Sequence, residues 1–219
     1  FVEQKKIFER CGGLFYTYSV SKDLKLGFAA TGNFGAALKY DDNWVGRYYA
    51  RDVTLVGMSM LPSIAYRLND QFSLGASVNA MYSRLRNVTA INNIVPGLSD
   101  GKLELKDNKW GFGGNLGLLY EAAPGTRFGL TYNSRVKLDF SSKAKFSNLG
   151  PGLNAVLGAR GLLDAQTDLG VKVPQQLMGS FVHAIDSKWS VLGNVGWQNW
   201  KKFGQVEVSI DSSNPTSTT

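Results

Sequence analysis

A strict alternation of side-chain types over residues 56–68 and 72–82 limits the folds that this chain can adopt. The even positions are apolar, and the odd positions are small or polar apart from Leu61 and Met81. A period of two indicates β-strand, and both runs are about twice the usual length of strands in soluble proteins. Tyr66 and Phe72 place an aromatic residue beside the intervening turn. Long strands with one apolar face, one polar face and terminal aromatics are typical of a transmembrane β-hairpin.

The same alternation recurs along the chain and predicts eight strands, the sixth of which runs from Thr126 to Phe140. The predicted turns are short near residues 22, 70, 124 and 187, whereas the connections 36–53, 87–108 and 141–173 are long. Short turns at one end and long loops at the other are the layout of an outer-membrane barrel. We therefore predict an all-β fold, an antiparallel transmembrane β-barrel, with a short amphipathic helix over residues 153–166. A further strand over residues 203–210 is predicted to extend the eighth.

The sixth predicted strand shows the strongest contrast between its two faces. The last three apolar positions on one face are Val136, Leu138 and Phe140. The opposite face carries Arg135 and Lys137. In a membrane barrel the apolar face contacts lipid and the polar face lines the lumen. We therefore expect these apolar side chains to face the membrane and the two basic side chains to face inward.

Charge and composition narrow the functional classes. The net charge is +7, but the basic residues are scattered and form no run that would indicate nucleic-acid binding. Cys11 is the single cysteine, so no internal disulfide can form. The single histidine, His183, cannot build a histidine cluster for a metal, and no GxSxG motif accompanies it as in a serine hydrolase. The sequence therefore predicts neither an enzyme nor a cofactor.

Two irregularities interrupt the predicted strands. The alternation breaks at Asn33, Phe34 and Gly35, and a glycine inside a strand marks a bulge, a kink or a close backbone approach. A strand that simply ends there is the alternative. Pro62 lies within the third strand, although proline cannot donate to a β-ladder. It therefore requires an edge, a bulge or a gap in pairing.

Five segments resemble the FadL family of outer-membrane long-chain fatty acid transporters, in the family's order and spacing. They are NFGAALKYDDNWVGRYYA, LPSIAYRLNDQFSLGASVNAMY, KWGFGGNLGLLYE, TRFGLTYNSRVKLDF and WSVLGNVGWQNWKKF, which cover most of residues 31–203. The resemblance implies a barrel of about fourteen strands with an N-terminal hatch, of which this chain holds strands two to nine. Residues 1–219 are thus expected to form an incomplete β-barrel, with the hatch and first strand missing before residue 1 and the last strands missing after residue 219.

The resemblance also implies a route for the substrate. The family captures ligand in an apolar groove between two outer loops, which match residues 87–108 and 141–173. A kinked strand then opens the wall sideways into the bilayer; it matches Asn33, Phe34 and Gly35, with Pro62 on the next strand. The apolar residues expected to capture ligand are Ile91, Ile94, Val95, Leu98, Leu153, Val156, Leu157, Leu162 and Leu163. Packing between the two loops is the alternative explanation for them.

A deeper site in the family holds the ligand carboxylate with basic residues, and here the sequence departs from the family. Thr89 stands where a family arginine aligns. Arg84 and Arg86 are close by, but both are at even positions, whose side chains face outward unless a bulge shifts the alternation. Arg135 and Lys137 have inward parity and are the other candidates for the head group. A purely structural role, or a charge in the lumen, is the alternative for all four.

The sequence therefore predicts passive uptake of hydrophobic molecules, long-chain fatty acids first, across the outer membrane of a Gram-negative bacterium. Uptake of aromatic hydrocarbons on the same fold is the alternative, and the departure at Thr89 favours it. A structural or adhesin barrel and an outer-membrane hydrolase are alternatives of other classes. The expected partners are the hydrophobic ligand, the lipid bilayer and lipopolysaccharide, with no nucleic acid, and family members are expected to be monomers.

Overall fold

The computed structural model of the protein describes residues 12–95, 97–202 and 207–211. Its strands are β1 (Gly13–Ser19), β2 (Leu24–Lys39), β3 (Asp52–Arg67), β4 (Phe72–Ile91), β5 (Gly101–Ala123), β6 (Thr126–Asn133), β7 (Val136–Lys143), β8 (Lys145–Ser147), β9 (Gln166–Val173), β10 (Gln176–Ala184), β11 (Ser190–Gln198) and β12 (Glu207–Asp211). One α-helix, α1 (Pro151–Ala159), and a short 3₁₀ helix, Trp200–Lys202, are also described. None of the described helices has the length and apolar character needed to cross a bilayer.

Eight strands form one antiparallel wall in the order β1-β2-β3-β4-β5-β6-β10-β11, and the short β8 pairs with β5 at its side. These eight are the strands that the alternation predicts. Every neighbouring pair in the wall is antiparallel. The predicted all-β, antiparallel architecture is therefore confirmed.

Aromatic pairs border the apolar outer face of the wall. Phe72 stacks on Tyr120 with ring centroids 4.7 Å apart, and Tyr82 lies 5.2 Å from Trp110. These two pairs are about ten residues apart along β4, which is about 34 Å of strand. At the tilt of about 40° usual for such barrels this is about 26 Å of height, close to the apolar band of a membrane barrel. We call the part of the strands that begins at the pair Met81 and Gly111, and includes Tyr82 and Trp110, the outer end.

A second, three-stranded sheet in the order β12-β9-β7 covers the inner face of the wall at the outer end. The wall strand β6 stops at Asn133, and the Ser134 N–H donates to the Gly114 carbonyl at 2.9 Å while the Gly114 N–H donates to Ser134 Oγ at 2.8 Å. This reciprocal pair ends β6 against β5, and the chain leaves the wall there. The next strand, β7, then crosses the inner side of β5, where Gly111 leaves room for its backbone.

The prediction that Val136, Leu138 and Phe140 face lipid is wrong. Their exposed fractions are 1%, 0% and 1%, because the alternating strand folds inward instead of staying in the wall. They form a cluster with two residues of β4, which we call the inner core: Met81, Leu85, Val136, Leu138 and Phe140. The apolar face of this segment packs against protein, and the sequence pattern alone does not distinguish protein from lipid.

The three long connections are shorter than predicted. The loop that connects β2 to β3 spans residues 40–51, and the loop that connects β4 to β5 spans residues 92–100. The segment 141–173 contains the end of β7, then β8, α1 and β9. A helix is present, but it starts earlier than predicted because Pro151 suits its first turn. It also ends at Ala159, well before residue 166, which belongs to β9. Of the predicted extension, residues 203–206 lie outside the described part, and β12 pairs with β9 instead of extending β11.

Candidate functional site

The break in alternation at Asn33 is a β-bulge in β2. Gly32 pairs with Met58, whereas Phe34 pairs with the adjacent Gly57, so Asn33 is the extra residue. A shift of one residue moves the following side chains to the opposite face. Phe34 therefore turns inward and packs against the inner core. Its ring lies over Gly57, where an added Cβ would come within 2.6 Å of the ring.

The bulge does not separate β2 from β3. Gly35 pairs with Val56, and the ladder continues to Lys39. On its other edge β2 pairs with β1 only as far as Thr31, so no described strand covers the segment beyond the bulge on that side. Gly35 does not have a left-handed backbone conformation, because the described glycines with positive φ are Gly97, Gly125 and Gly161.

Pro62 marks a second interruption, in the ladder between β3 and β4. Met60 pairs with Ala80 and Ser63 with Ser77, but the two residues between, which include Pro62, have no partner on β4. The register is the same on both sides of this gap. The missing proline N–H accounts for the loss of pairing. Two neighbouring ladders of the wall are therefore weakened, at the bulge and at this gap.

A chain of side-chain hydrogen bonds holds the bulge in place across three strands. Thr31 Oγ1 donates to Asn33 Oδ1 at 3.2 Å, and Asn33 Nδ2 donates to Ser59 Oγ. Ser59 Oγ in turn donates to Asn79 Oδ1 at 2.6 Å. The Ser59 side chain is buried, with an exposed fraction of 1%. Sequence reasoning missed Ser59 and Asn79, whose only signal is a polar residue at an inward position of a long strand.

A pocket of about 490 Å³, which we call the bulge pocket, opens on the inner face beside Asn33. Its apolar lining residues are Phe34, Leu61, Met81, Val136, Val173, Pro174 and Trp200. Its amide-bearing lining residues are Asn33, Asn79, Asn115, Asn133, Gln176 and Gln198. No charged side chain is among the described residues that line it. The pocket can thus offer apolar contact and neutral hydrogen bonds to one ligand.

The structure places Arg84 and Arg86 on the outward face of the outer end. The pairing of β4 with both neighbours is regular there, so no bulge resets their parity. Arg86 Nε donates to Glu104 Oε1 at 2.8 Å, and its terminal nitrogen donates to Asp52. Two carboxylates of the protein therefore already occupy the Arg86 guanidinium.

Arg135, just before β7, and Lys137, on β7, do not line the bulge pocket. Arg135 is half-buried at the junction of β6 and β7, and Lys137 is exposed on the face of β7 opposite the inner core. The four basic candidates thus divide between the two faces of the wall. Thr89, half-buried on β4, pairs with Leu103.

The two predicted capture loops are tied together by a buried asparagine. Asn93, 4% exposed, donates from Nδ2 to the carbonyls of Ser99 at 2.7 Å and Asn148 at 2.9 Å. Its Oδ1 accepts the N–H of Gly150 at 2.8 Å, just before α1. Nothing in the sequence distinguishes Asn93 from the neighbouring polar residues, because its partner loop is over fifty positions away.

The predicted capture residues divide into two groups by exposure. Those exposed at the surface of the loops and helix are Ile94, Val95, Leu98 and Val156. Those that are half-buried are Ile91, Leu153, Leu157, Leu162 and Leu163. The half-buried group agrees with packing, whereas the exposed group leaves apolar surface that a ligand could cover.

A third loop is held against one of the two capture loops by an ion pair. Arg47 Nε donates to Asp100 Oδ2 at 2.6 Å, and Tyr48 Oη donates to Asp100 Oδ1 at 3.0 Å. The hydrogen bond from Arg47, followed by that from Tyr48, lowers the pKa of Asp100 in spite of partial desolvation. The same bond raises the pKa of Arg47. The loop over residues 40–51 is thereby fixed to the loop over residues 92–100.

The described residues hold no group of His, Cys, Asp and Glu side chains arranged to bind a metal ion. His183 instead lies near the short turns, with Nδ1 2.9 Å from Thr126 Oγ1. What the described site can do chemically is to hold an apolar or amphipathic molecule.

Comparison with known proteins places the chain among outer-membrane transport proteins. The family model "Outer membrane protein transport protein (OMPP1/FadL/TodX)" matches residues 12–219. A long-chain fatty acid transport protein of Escherichia coli O6:H1 is 28% identical over 225 residues, covering 91% of this chain and 50% of the relative. Outer membrane protein P1 of Haemophilus influenzae is 26% identical, covering 90% and 47%. The chain spans about half the length of the curated relatives it matches.

Solved structures of similar proteins share the fold. A Pseudomonas aeruginosa FadL homologue superposes with a TM-score of 0.79 at 18% identity, covering 92% of this chain and 50% of that one. The Ralstonia pickettii toluene transporter TbuX superposes with a TM-score of 0.69 at 22% identity, covering 92% and 58%. At these identities the likeness shows that the wall described above is part of the same kind of β-barrel.

Proposed function

Because the chain belongs to the OMPP1/FadL/TodX family of outer-membrane proteins, we propose that it forms part of a channel that takes up hydrophobic molecules. Long-chain fatty acids are the first candidate substrates, since curated relatives carry that description. The observation that carries the proposal is the bulge pocket, which lies on the inner face beside two interrupted ladders of the wall.

The proposed route runs from the capture loops to the bulge pocket and then sideways into the bilayer. The exposed apolar residues Ile94, Val95, Leu98 and Val156 would receive the ligand at the outer end. The segment of β2 beyond Asn33, together with Gly35 and the gap at Pro62, would supply the lateral opening. An apolar ligand gains free energy by passing from an apolar pocket into lipid without crossing water.

Aromatic hydrocarbons are the second candidate class of substrate. The described lining of the bulge pocket is uncharged, and Arg86 is already paired with Asp52 and Glu104. The resemblance to the family also aligns Thr89 with a basic residue. A cation for a fatty acid carboxylate would then have to come from Arg135 or Lys137. A hydrocarbon without a head group needs no such cation.

Changes at the bulge test the lateral route. Deletion of Asn33 removes the extra residue and returns the following side chains of β2 to the regular alternation, and Gly35→Val adds bulk at the same place. We expect each change to slow uptake of a radiolabelled long-chain fatty acid by about tenfold, equivalent to about 1.4 kcal/mol in the transport barrier. The full-length protein in vesicles is the material, and Gly75→Val, in the regular wall, is the control.

The outcomes separate the route from the function. Unchanged uptake by a folded Asn33 deletion and by Gly35→Val would contradict the lateral opening at this bulge. Uptake of neither fatty acid nor toluene by the unmodified protein would contradict the proposed function itself. Folding is checked in each variant by the shift in electrophoretic mobility on heating.

A further inference from the structure

Five uncharged polar side chains form one continuous row across the inner face of the wall. The cross-strand partners are Ser77 with Asn115, Asn115 with Asn133, Asn133 with Gln176, and Gln176 with Gln198. The row crosses β4, β5, β6, β10 and β11, which at the usual spacing of neighbouring strands is about 19 Å. Four of its five members line the bulge pocket. We call it the amide row.

The middle of the amide row has hydrogen-bonding capacity that the described protein does not use. Asn115 Nδ2 donates to Ser77 Oγ at 3.0 Å. Asn133 and Gln176 are half-buried, and neither side chain makes a hydrogen bond to another described residue. A polar group that is buried normally has a hydrogen-bond partner, so a ligand that covers these two amides would have to supply one. These two amides face a space that also has an apolar wall.

The charge balance of the pocket decides which head group it suits. An ionised carboxylate withdrawn from water without a cation pays a large desolvation penalty, and the described lining contains no cation. A side-chain amide carries both donors and an acceptor. It can therefore satisfy both the oxygen and the hydrogen of a hydroxyl group, and an amide pair can do so from two strands.

We propose that the bulge pocket binds the uncharged, hydrogen-bonding end of an amphipathic hydrocarbon, such as a long-chain alcohol, through Asn133 and Gln176. The hydrocarbon chain lies along the apolar wall formed by Phe34, Leu61 and Val136. The proposal rests on the proposed function, because it assigns a substrate class to the same channel. A site built to hydrogen-bond a hydroxyl discriminates against the analogue that lacks it.

Competition binding with three ligands of equal chain length tests this assignment. Detergent-purified full-length protein is loaded with tritiated dodecanol, which is displaced by unlabelled dodecanol, dodecane or dodecanoate. We expect dodecanol to bind more tightly than dodecane by roughly fivefold for each net hydrogen bond. Asn133→Leu and Gln176→Leu, which keep the approximate side-chain volume, should each remove roughly one such factor for dodecanol and leave dodecane unchanged.

Asn194→Leu is the matched control, because Asn194 pairs with Ser180 on the same face of the wall but does not line the pocket. It should alter the binding of none of the three ligands. The two test residues lie on different strands. If one of the two variants fails to fold, the other variant still tests the assignment.

Three results would overturn the assignment. If dodecanol and dodecane lose affinity together, the amides shape the pocket or pack against other parts of the protein. If neither changes, the amide row does not contact the ligand. If dodecanoate binds more tightly than dodecanol and loses affinity in Arg135→Ala or Lys137→Ala, a cationic site holds the head group. Failure of the unmodified protein to bind any of the three would instead contradict the proposed function.

Discussion

The membrane-spanning part of β4 and its outer end follow opposite rules of burial. In the spanning part the apolar side chains are the exposed ones, as Leu74 and Val78 show with exposed fractions of 46% and 55%. At the outer end the apolar side chains are the buried ones, as Met81 and Leu85 show at 1% and 9%. The same strand therefore faces lipid with one set of apolar residues and a second protein layer with the other.

This difference shows that a two-residue period of apolar side chains identifies a strand and its two faces. It does not show whether lipid, water or protein covers each face. Along the spanning part, lipid covers the even face of β4 and small or polar residues fill the odd face. At the outer end, β7 covers the odd face at Met81 and Leu85. The even face first carries Arg84 and Arg86, which suits water, and then the buried Val88 and Ala90. The change occurs within a few residues of Tyr82, so it coincides with the aromatic border of the membrane.

Truncation of a large side chain on each side of this comparison should give the largest contrast. Phe140→Ala removes a ring from the inner core, and we expect a loss of about 3–5 kcal/mol in the free energy of unfolding. Phe112→Ala removes a ring that is 67% exposed on the outer face of β5. Its cost should be smaller, about 1.5–3 kcal/mol, because lipid still keeps the ring from water but its removal leaves no cavity in the protein. Denaturant unfolding of the full-length protein in lipid vesicles measures both. Equal losses would show that the inner sheet does not stabilise the wall.

A single added methyl group should distinguish the two regions by the sign of its effect. An added Cβ at Gly111 would lie 2.5 Å from the Lys137 carbonyl oxygen, whereas at Gly75 its nearest neighbour is the Ile64 carbonyl oxygen at 3.8 Å. Gly111→Ala should therefore destabilise by about 1–3 kcal/mol through overpacking. Gly75→Ala should be neutral or stabilise by up to about 1 kcal/mol, because alanine restricts the unfolded chain.

The same unfolding measurement checks this pair of glycine variants. A neutral Gly111→Ala would mean that β7 can move away from β5 at little cost. The contact between the two layers would then not be tight, and the distinction between the spanning part and the outer end would rest on polarity alone.

The regular part of the wall could be predicted from the sequence because its two faces have different surroundings. One face contacts lipid and the other faces the interior, so the side chains alternate between apolar and polar. Eight strands, the short turns and the break at Asn33 all follow from alternation and from glycine and proline chemistry. The inward direction of Phe34 did not, because it depends on which strand absorbs the extra residue. The second sheet did not either, because Val136, Leu138 and Phe140 have the same pattern whether lipid or protein covers them.

The site was predictable to a smaller extent than the fold. The resemblance placed Asn33, Phe34 and Gly35 at the irregular strand, and the structure shows a bulge there. The amide row was missed because its members are single polar residues on five separate strands. Only the register of the sheet brings Asn133 beside Gln176. The buried link at Asn93 was missed for the same reason, since it joins loops that are distant in sequence.

The smallest expected effect concerns charge, which acts at the outer end and not in the spanning part of the wall. Arg47 lowers the pKa of Asp100 in the folded protein, whereas the unfolded chain has the ordinary value of about 3.9. A lowered folded-state pKa gives stability that is fully present above the ordinary value and is lost as the pH falls through the folded-state value. The contact between the two loops should therefore be constant from neutral pH down to about 4 and weaken below it.

Hydrogen exchange of the full-length protein in detergent at successively lower pH measures this, after correction for the intrinsic pH dependence of exchange. Backbone amides of residues 92–100 should lose protection below the ordinary aspartate pKa, while those of the spanning part of β4 keep theirs. Asp100→Asn should produce the same local loss at neutral pH, because it removes the charge that Arg47 and Tyr48 hold. Asp70→Asn, in the short turn at the opposite end, should leave residues 92–100 unchanged. Loss of protection in both regions at one pH would show that acid unfolds the barrel as a whole, and the two ends would then not be independent.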